Sequence, residues 1–228
     1  MRVLVVSAHP DDETMFAGGL LARYAHDGHE LTILCSTRGE GGEVGDPPVC
    51  EPARLGEVRE TEMRCAGAAL GAREVAFLDY VDPNMEIDGV AMRIDASLDE
   101  FAEAIRTYLE RVQPDVVVTH GSGGEYGHPQ HIFTHQAVFE AIRRLPHRGP
   151  REVVTWVARH PANEGERLTN NDDPADEVLD ISPWFDAKLA ATLCHRSQHT
   201  MFRRNNQGKD LSEVVRRIES YRHWPTVG

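Results

Sequence analysis

The sequence predicts an α/β fold: a three-layer, Rossmann-like domain with a mostly parallel sheet and a site at the C-terminal strand ends. Two observations lead there. Short apolar runs such as Val3-Leu4-Val5-Val6 and Val116-Val117-Val118 alternate with longer segments of helical character, the signature of a parallel sheet covered on both faces. Two dense clusters of histidine and carboxylate residues follow directly on two of those runs. A chain of 228 residues with 40% hydrophobic content is long enough for one sizeable core, and 1–228 is read as a single domain.

Taken in order, Arg2 to Ser7 reads as a buried strand and Thr14 to His26 as a helix. Leu31 to Ser36 is the second strand, and Thr37 to Glu51 a loop rich in Gly and Pro. Pro52 to Leu70 is helical, stopped by Gly71. Val75 to Leu78 is a third strand, and Asp79 to Met92 is loop-like. Leu98 to Val112 is a helix with Phe101, Ile105 and Leu109 spaced by four. Asp115 to Thr119 is the fourth strand, Ile132 to Arg144 a helix, and Val153 to Val157 the fifth strand. His160 to Ala175 reads as a polar loop and Val178 to Ile181 as a short strand. Helices near Trp184 to His195 and Leu211 to His223 close the chain.

Twenty-four Lys and Arg against 37 Asp and Glu give a formal charge of −13 without a basic cluster, which disfavours nucleic acid and anionic membranes as partners. No apolar run approaches a membrane span, and no signal peptide is evident, so a cytoplasmic location is expected. Cys35, Cys50, Cys65 and Cys194 are scattered without a C-x-x-C and are expected to be reduced thiols. No G-x-G-x-x-G follows the first strand, so the layout lacks the dinucleotide fingerprint.

The first cluster is Ala8-His9-Pro10-Asp11-Asp12-Glu13. An imidazole and a carboxylate can hold a divalent ion while a spare carboxylate takes a proton. Alone, Asp12 is equally a helix N-cap, and Asp11 and Glu13 complement a helix dipole. The second cluster runs from His120 through Glu125-Tyr126-Gly127-His128-Pro129-Gln130-His131 to His135, placing four of twelve histidines within sixteen residues. First and fourth strands of a doubly wound sheet are often neighbours at the switch point, where ligands bind. The two clusters can therefore share one crevice and form a metal site. His131 with His135 is an alternative ligand pair at helical spacing. Two adjacent carboxylates cannot easily both face one small ion, so one of Asp11 and Asp12 binds and the other is free to react. His26, His29, His147, His160 and His223 read most simply as surface residues.

These residues resemble the PIG-L (LmbE-like) de-N-acetylase family. Ala8-His9-Pro10-Asp11-Asp12-Glu13 and Gly127-His128-Pro129-Gln130-His131 match its two signatures. Thr37-Arg38-Gly39-Glu40-Gly41-Gly42, Arg59-Glu60-Thr61-Glu62 and Lys188 with His195-Arg196-Ser197-Gln198 are similar to its further elements. The resemblance implies Zn2+, or another divalent metal such as Fe2+, on His9, Asp12 and His131. It implies Asp11 as the base, His128 as the acid for the departing amine, and Tyr126 as an oxyanion partner. Arg59, Arg38 and His195 are expected substrate contacts. The implied reaction is removal of acetyl from an N-acetylglucosaminyl conjugate. The alternative is an amidase of the same family acting on a larger thiol-sugar or antibiotic-type amide. The expected partner is thus a small N-acetylated sugar conjugate, with a homo-oligomer open. Many relatives carry Asp where this chain has Gln130, a change that implies a lower pKa for His128 here.

Overall fold

Val3, Leu4, Val5 and Val6 are fully buried, and their alternation divides the core. The computed structural model describes residues 1–83, 86–87, 90–91, 93–146, 149–164 and 166–226. It runs β1 (Arg2–Ser7), α1 (Asp12–His26), β2 (Glu30–Thr37), α2 (Leu55–Ala69, entered through a 3-10 turn at Pro52–Arg54) and β3 (Glu74–Tyr80). Two short strands follow, β4 (Glu86–Ile87) and β5 (Val90–Ala91), then α3 (Leu98–Val112), β6 (Val116–Thr119), the kinked turn α4 (Gly124–Gly127) and α5 (Pro129–Arg143). The last part holds β7 (Glu152–Trp156), β8 (Ala158–Arg159), β9 (Asn170–Pro174), β10 (Glu177–Asp180), α6 (Phe185–Cys194), α7 (His199–Asn205), α8 (Leu211–Val214) and β11 (Ile218–Pro225). His147 and part of the segment 79–92 lie outside the described residues.

Strand order in the main sheet is β10-β11-β7-β6-β1-β2-β3, with β3, β2, β1, β6 and β7 all parallel. Val3 and Val5 point to the face covered by Leu20 and Leu21 of α1 and Met63 and Ala66 of α2. Leu4 and Val6 point to the other, against Phe101 and Ile105 of α3 and Phe133 and Ala137 of α5. The expected three layers are therefore present. Helix α3 occupies the predicted span, and its start is set by a capping box between Ser97 and Glu100, a motif of about 1 kcal/mol.

Three expectations are corrected. The closing helix over 211–223 is helical only at Leu211–Val214, and Ile218–Pro225 is a strand, antiparallel to both β7 and β10. Tyr221 packs into the α1-side core and Trp224 against the α3-side core. A strand sends residues three apart to opposite faces, whereas a helix would keep them on one. The Glu219 carboxylate fastens this strand, accepting from the backbone N–H groups of Gly19 and Leu20, from Lys188 Nζ at 2.6 Å and from the Tyr221 hydroxyl at 2.5 Å. A Cβ at Gly19 would lie 2.2 Å from Ile181, so no larger residue fits there.

The expected polar loop over 160–175 contains β9, paired with β8. The cysteines are not all reduced: Cys65 near the end of α2 and Cys194 at the end of α6 form a disulfide across 129 positions of sequence, while Cys35 and Cys50 are free. Scattered spacing hid the pair, because only the packing of α2 on α6 brings the two together. Among the described residues no helix is long and apolar enough to cross a membrane.

Candidate metal centre and active site

β1 and β6 lie side by side, with Val6 opposite Thr119. The chain leaves β1 into His9 and leaves β6 into His120, so both clusters open from the same edge. This is the switch point of the sheet, since β1 continues to β2 on one side and borders β6 on the other.

The first turn is set by Asp11, a non-glycine residue at φ 117°, in a region such residues adopt at a cost of about 1–3 kcal/mol. Its backbone N–H donates to Glu13 Oε2 at 3.1 Å, and the His9 N–H donates to Asp12 Oδ2 at 2.8 Å. These bonds fold the acidic hexapeptide onto itself. His9, Asp11, Asp12 and Glu13 are all buried.

Donor atoms then converge. His9 Nδ1 lies 3.2 Å from His131 Nε2. Asp12 Oδ2 lies 3.4 Å from His9 Nδ1, and Oδ1 lies 3.4 Å from His131 Nε2. Two other groups, His9 with His128 and His131, and Asp12 with His120 and His131, also bring one ligand atom each within 4.8 Å of one another.

Outer partners fix the protons on these rings. His131 Nδ1 donates to the Glu125 carboxylate at 2.6 Å, leaving Nε2 as a lone pair. Gln130 Nε2 donates to Asp82 Oδ1 at 2.7 Å, so its oxygen faces His9 and accepts from Nε2 at 3.1 Å. With the His9 ring neutral, its Nδ1 is then also a lone pair, able to take either a second proton or a cation. Two lone pairs facing at 3.2 Å beside a carboxylate suit a shared cation. Tetrahedral donors ~2.1 Å from zinc stand roughly 3.4 Å apart, close to the spacing here. The donor set, two imidazoles and a carboxylate, therefore fits a divalent ion.

Electrostatics follow from the same contacts. Burial opposes ionisation of Asp12, but His131, His9 and His120 hold its carboxyl well below the usual range. Burial would lower His9, yet Asp82 and Asp12 outweigh it and push His9 up to about 9, as expected of a spot that attracts positive charge. Asp11 is raised to about 6, by burial, against the pull of Arg59. His128 is pushed down to about 3 by burial and by its neighbours His131 and His9.

The expected contacts take specific places. Arg59 is buried and donates to Pro10 O at 2.5 Å, to Asp11 Oδ2 at 3.2 Å and to Gly39 O at 3.0 Å. His195 is fully buried, with Nε2 3.3 Å from Thr14 Oγ1 and 3.4 Å from Glu13 Oε1. Arg38 is half-buried and donates to Glu60 at 2.7 Å. Tyr126 is 41% exposed at the rim, its ring 5.5 Å from that of His128. His135 does not join the cluster: its Nδ1 donates to the His120 carbonyl at 2.9 Å and its ring packs on Phe139. Gln130 meets His128 through its backbone N–H, which donates to Nδ1 at 3.3 Å, while its side-chain amide turns to His9 and Asp82. Sequence reasoning missed Glu125 and Asp82. A glutamate inside a glycine-rich turn was the signal for the first, and the second had none.

Residues 4–142 match the model of the PIG-L family, described as GlcNAc-PI de-N-acetylase. The chain belongs to this family. It is 34% identical to a 1D-myo-inositol 2-acetamido-2-deoxy-alpha-D-glucopyranoside deacetylase of Actinosynnema mirum, over 88% of this chain and 82% of that one. It is 31% identical to the enzyme of the same name from Mycobacterium sp. strain KMS, over 86% and 74%. Among solved structures, N,N'-diacetylchitobiose deacetylase from Pyrococcus horikoshii superposes with a TM-score of 0.70 at 20% identity, over 98% of this chain and 84% of that one. The 4-carboxy-2-hydroxymuconate hydratase of Pseudomonas putida KT2440 superposes at 0.69 with 24% identity, over 100% and 98%. The two superpositions establish the fold, which hosts more than one chemistry.

Proposed function

We propose that this chain is a metal-dependent N-deacetylase that hydrolyses the acetamide of a small N-acetylglucosaminyl conjugate. The observation that carries the reading is the pair of lone-pair nitrogens, His9 Nδ1 and His131 Nε2, facing at 3.2 Å beside Asp12, with a second carboxylate, Asp11, next in sequence. His9, Asp12 and His131 would hold the ion, zinc foremost. When bound, it supplies Lewis acidity that acidifies water and polarises an acyl oxygen. Deacetylases similar to it in sequence support the substrate class.

Asp11 takes the proton of the attacking water on its carboxylate. Its elevated pKa makes it a stronger base than an exposed aspartate. Arg59 keeps that carboxylate ionised and aimed, a positioning role in place of the expected substrate contact. Tyr126, at the rim, donates a hydrogen bond from its hydroxyl to the acyl oxygen as charge develops there. His128 begins neutral, with its proton on Nε2 because Nδ1 accepts from the Gln130 N–H. A neutral ring with Nδ1 occupied has no spare proton to give, so the proton that Asp11 took from water goes to the departing amine nitrogen, and the His128 Nε2–H group donates a hydrogen bond to the developing oxyanion in place of the expected acid role. Products are acetate and a primary amine. His195 braces Glu13 and Thr14 from behind, and Arg38 is engaged by Glu60.

The test is amine release from a panel of N-acetylglucosaminyl compounds, by protein stripped with a chelator and then reloaded with Zn2+. Turnover restored by metal is the expected result. A reloaded protein that cleaves no acyl amide overturns the reading.

A further inference from the structure

Glu125 stands where the local sequence offers easier residues. The turn Gly121-Ser122-Gly123-Gly124-Glu125-Tyr126-Gly127 is glycine-rich, yet the residue at φ 61° and ψ −47° is a glutamate. That backbone region suits glycine and disfavours an L side chain. The side chain is buried, and its surroundings explain the choice. Oε2 accepts from His120 Nδ1 at 2.9 Å and from His131 Nδ1 at 2.6 Å. Oε1 accepts from the Gly121 N–H at 3.0 Å and from Asn170 Nδ2 at 3.3 Å.

Four donors therefore surround this carboxylate. An ionised carboxylate accepts at all of these positions; a glutamine would turn its NH2 group against two of them, and an aspartate is a methylene too short. The donor directions are themselves fixed. The Ala8 N–H donates to His120 Nε2 at 3.0 Å, so the neutral His120 ring carries its proton on Nδ1, toward Glu125. Asn170 Oδ1 accepts from the Glu125 N–H at 2.9 Å, which turns the Asn170 NH2 toward the carboxylate and toward the Trp156 carbonyl.

We propose that Glu125 is a positioning residue: by accepting the Nδ1 protons of His120 and His131 together, it fixes His131 in the tautomer whose Nε2 lone pair faces His9 and Asp12. The inference rests on reading that cluster as the metal site. His120 is thereby committed to Ala8 and Glu125 and serves as a strut between the two clusters, and the ligand role falls to His131. A carboxylate on the far nitrogen also makes the near nitrogen a better donor to a cation.

Two measurements test this. Long-range proton–nitrogen NMR of histidine-labelled, metal-free wild-type protein, at a pH where the imidazoles are neutral, reads the tautomers directly. His131 and His120 are expected with the proton on Nδ1; a proton on Nε2 of His131 overturns the proposal. Zn2+ affinity, by competition with a chromophoric chelator, and the absorption of the Co2+-loaded protein are then compared for wild type, E125Q and E125G. E125G removes the carboxylate while easing the backbone, so a loss it shares with E125Q belongs to the carboxylate. Both are expected to bind Zn2+ about 10–100-fold more weakly and to shift the Co2+ spectrum. Wild-type affinity and spectrum in both variants overturn the proposal. A wild type that binds no Zn2+ overturns the metal reading instead, and the His131 tautomer still decides this one, as it does if either variant fails to fold.

Discussion

Gln130 accepts the Nε2 proton of His9 at 3.1 Å because its amide nitrogen is committed to Asp82 at 2.7 Å. A carboxylate at Asp82 can only accept, so the amide has one orientation, and so has the His9 ring. Q130E keeps the length but sets a second carboxylate against Asp82, with both positions buried. Losing that bond and adding like charge should cost about 2 kcal/mol and lower the melting temperature by ~5 °C. D82N in the same chain supplies a donor again and should restore most of the loss. Thermal melts of wild type, both single variants and the double variant check this. A Q130E protein that melts with wild type would show that the amide does not contact Asp82 as assigned.

Asp11 and Asp12 are adjacent in sequence but differ in every contact. Asp12 faces both imidazoles, whereas the Asp11 carboxylate meets the Arg59 guanidinium at 3.2 Å. Asp11→Ala should therefore keep its metal, by elemental analysis, and lose activity by a factor of about 10²–10⁴, the usual share of a general base. Asp12→Ala should lose the metal. Metal loss in the Asp11 variant would exchange the two assignments.

The disulfide makes a third prediction. Cys65–Cys194 closes a loop of 129 positions between α2, which carries Arg59, and α6, which leads into His195. Cross-linking a loop that long removes unfolded-state entropy of about 4–5 kcal/mol. Cys65→Ser, or a dithiol reductant, should lower the melting temperature by ~10 °C. Thiol titration in denaturant without reductant should count two reactive cysteines, Cys35 and Cys50. A count of four would disprove the bridge.

The parallel half of the fold and the convergence of His9, Asp12 and His131 are legible in the sequence for one physical reason. Buried parallel strands must be nearly continuous apolar runs, and ligands must sit at their ends, so Val3–Val6 followed by His9 marks both at once. The antiparallel end is not legible in the same way. Glu219-Ser220-Tyr221-Arg222-His223 carries no apolar run, because Glu219, Lys188 and Tyr221 satisfy one another only after the chain returns to α1. The partners of the ligands are hidden likewise. Asp82 lies far from both signatures and acts through Gln130, and the cysteines pair only when two helices pack.

His223 supplies the last prediction, well away from the site. It reads in the sequence as a surface histidine, but β11 lays it half-buried between Glu177 and Glu152, with Nε2 at 3.2 Å and Nδ1 at 2.9 Å. Hydrogen bonding to Glu177 first, then Glu152, outweighs burial and raises its pKa from 6.5 to about 9. A group whose folded pKa is raised stabilises the fold fully below its unfolded pKa and loses that contribution as pH rises through the folded one. The stabilisation is therefore complete below about pH 6.5 and fades as pH climbs through about 9. Solvent at this partly open position screens the pair, which leaves ~1 kcal/mol. Denaturant titrations of wild type and His223→Gln at several pH values isolate the term from other titrating groups. The difference between the two proteins should be largest at the acid end of that window and shrink towards its alkaline end. A difference that stays constant across it would mean that His223 packs there without carrying the charge.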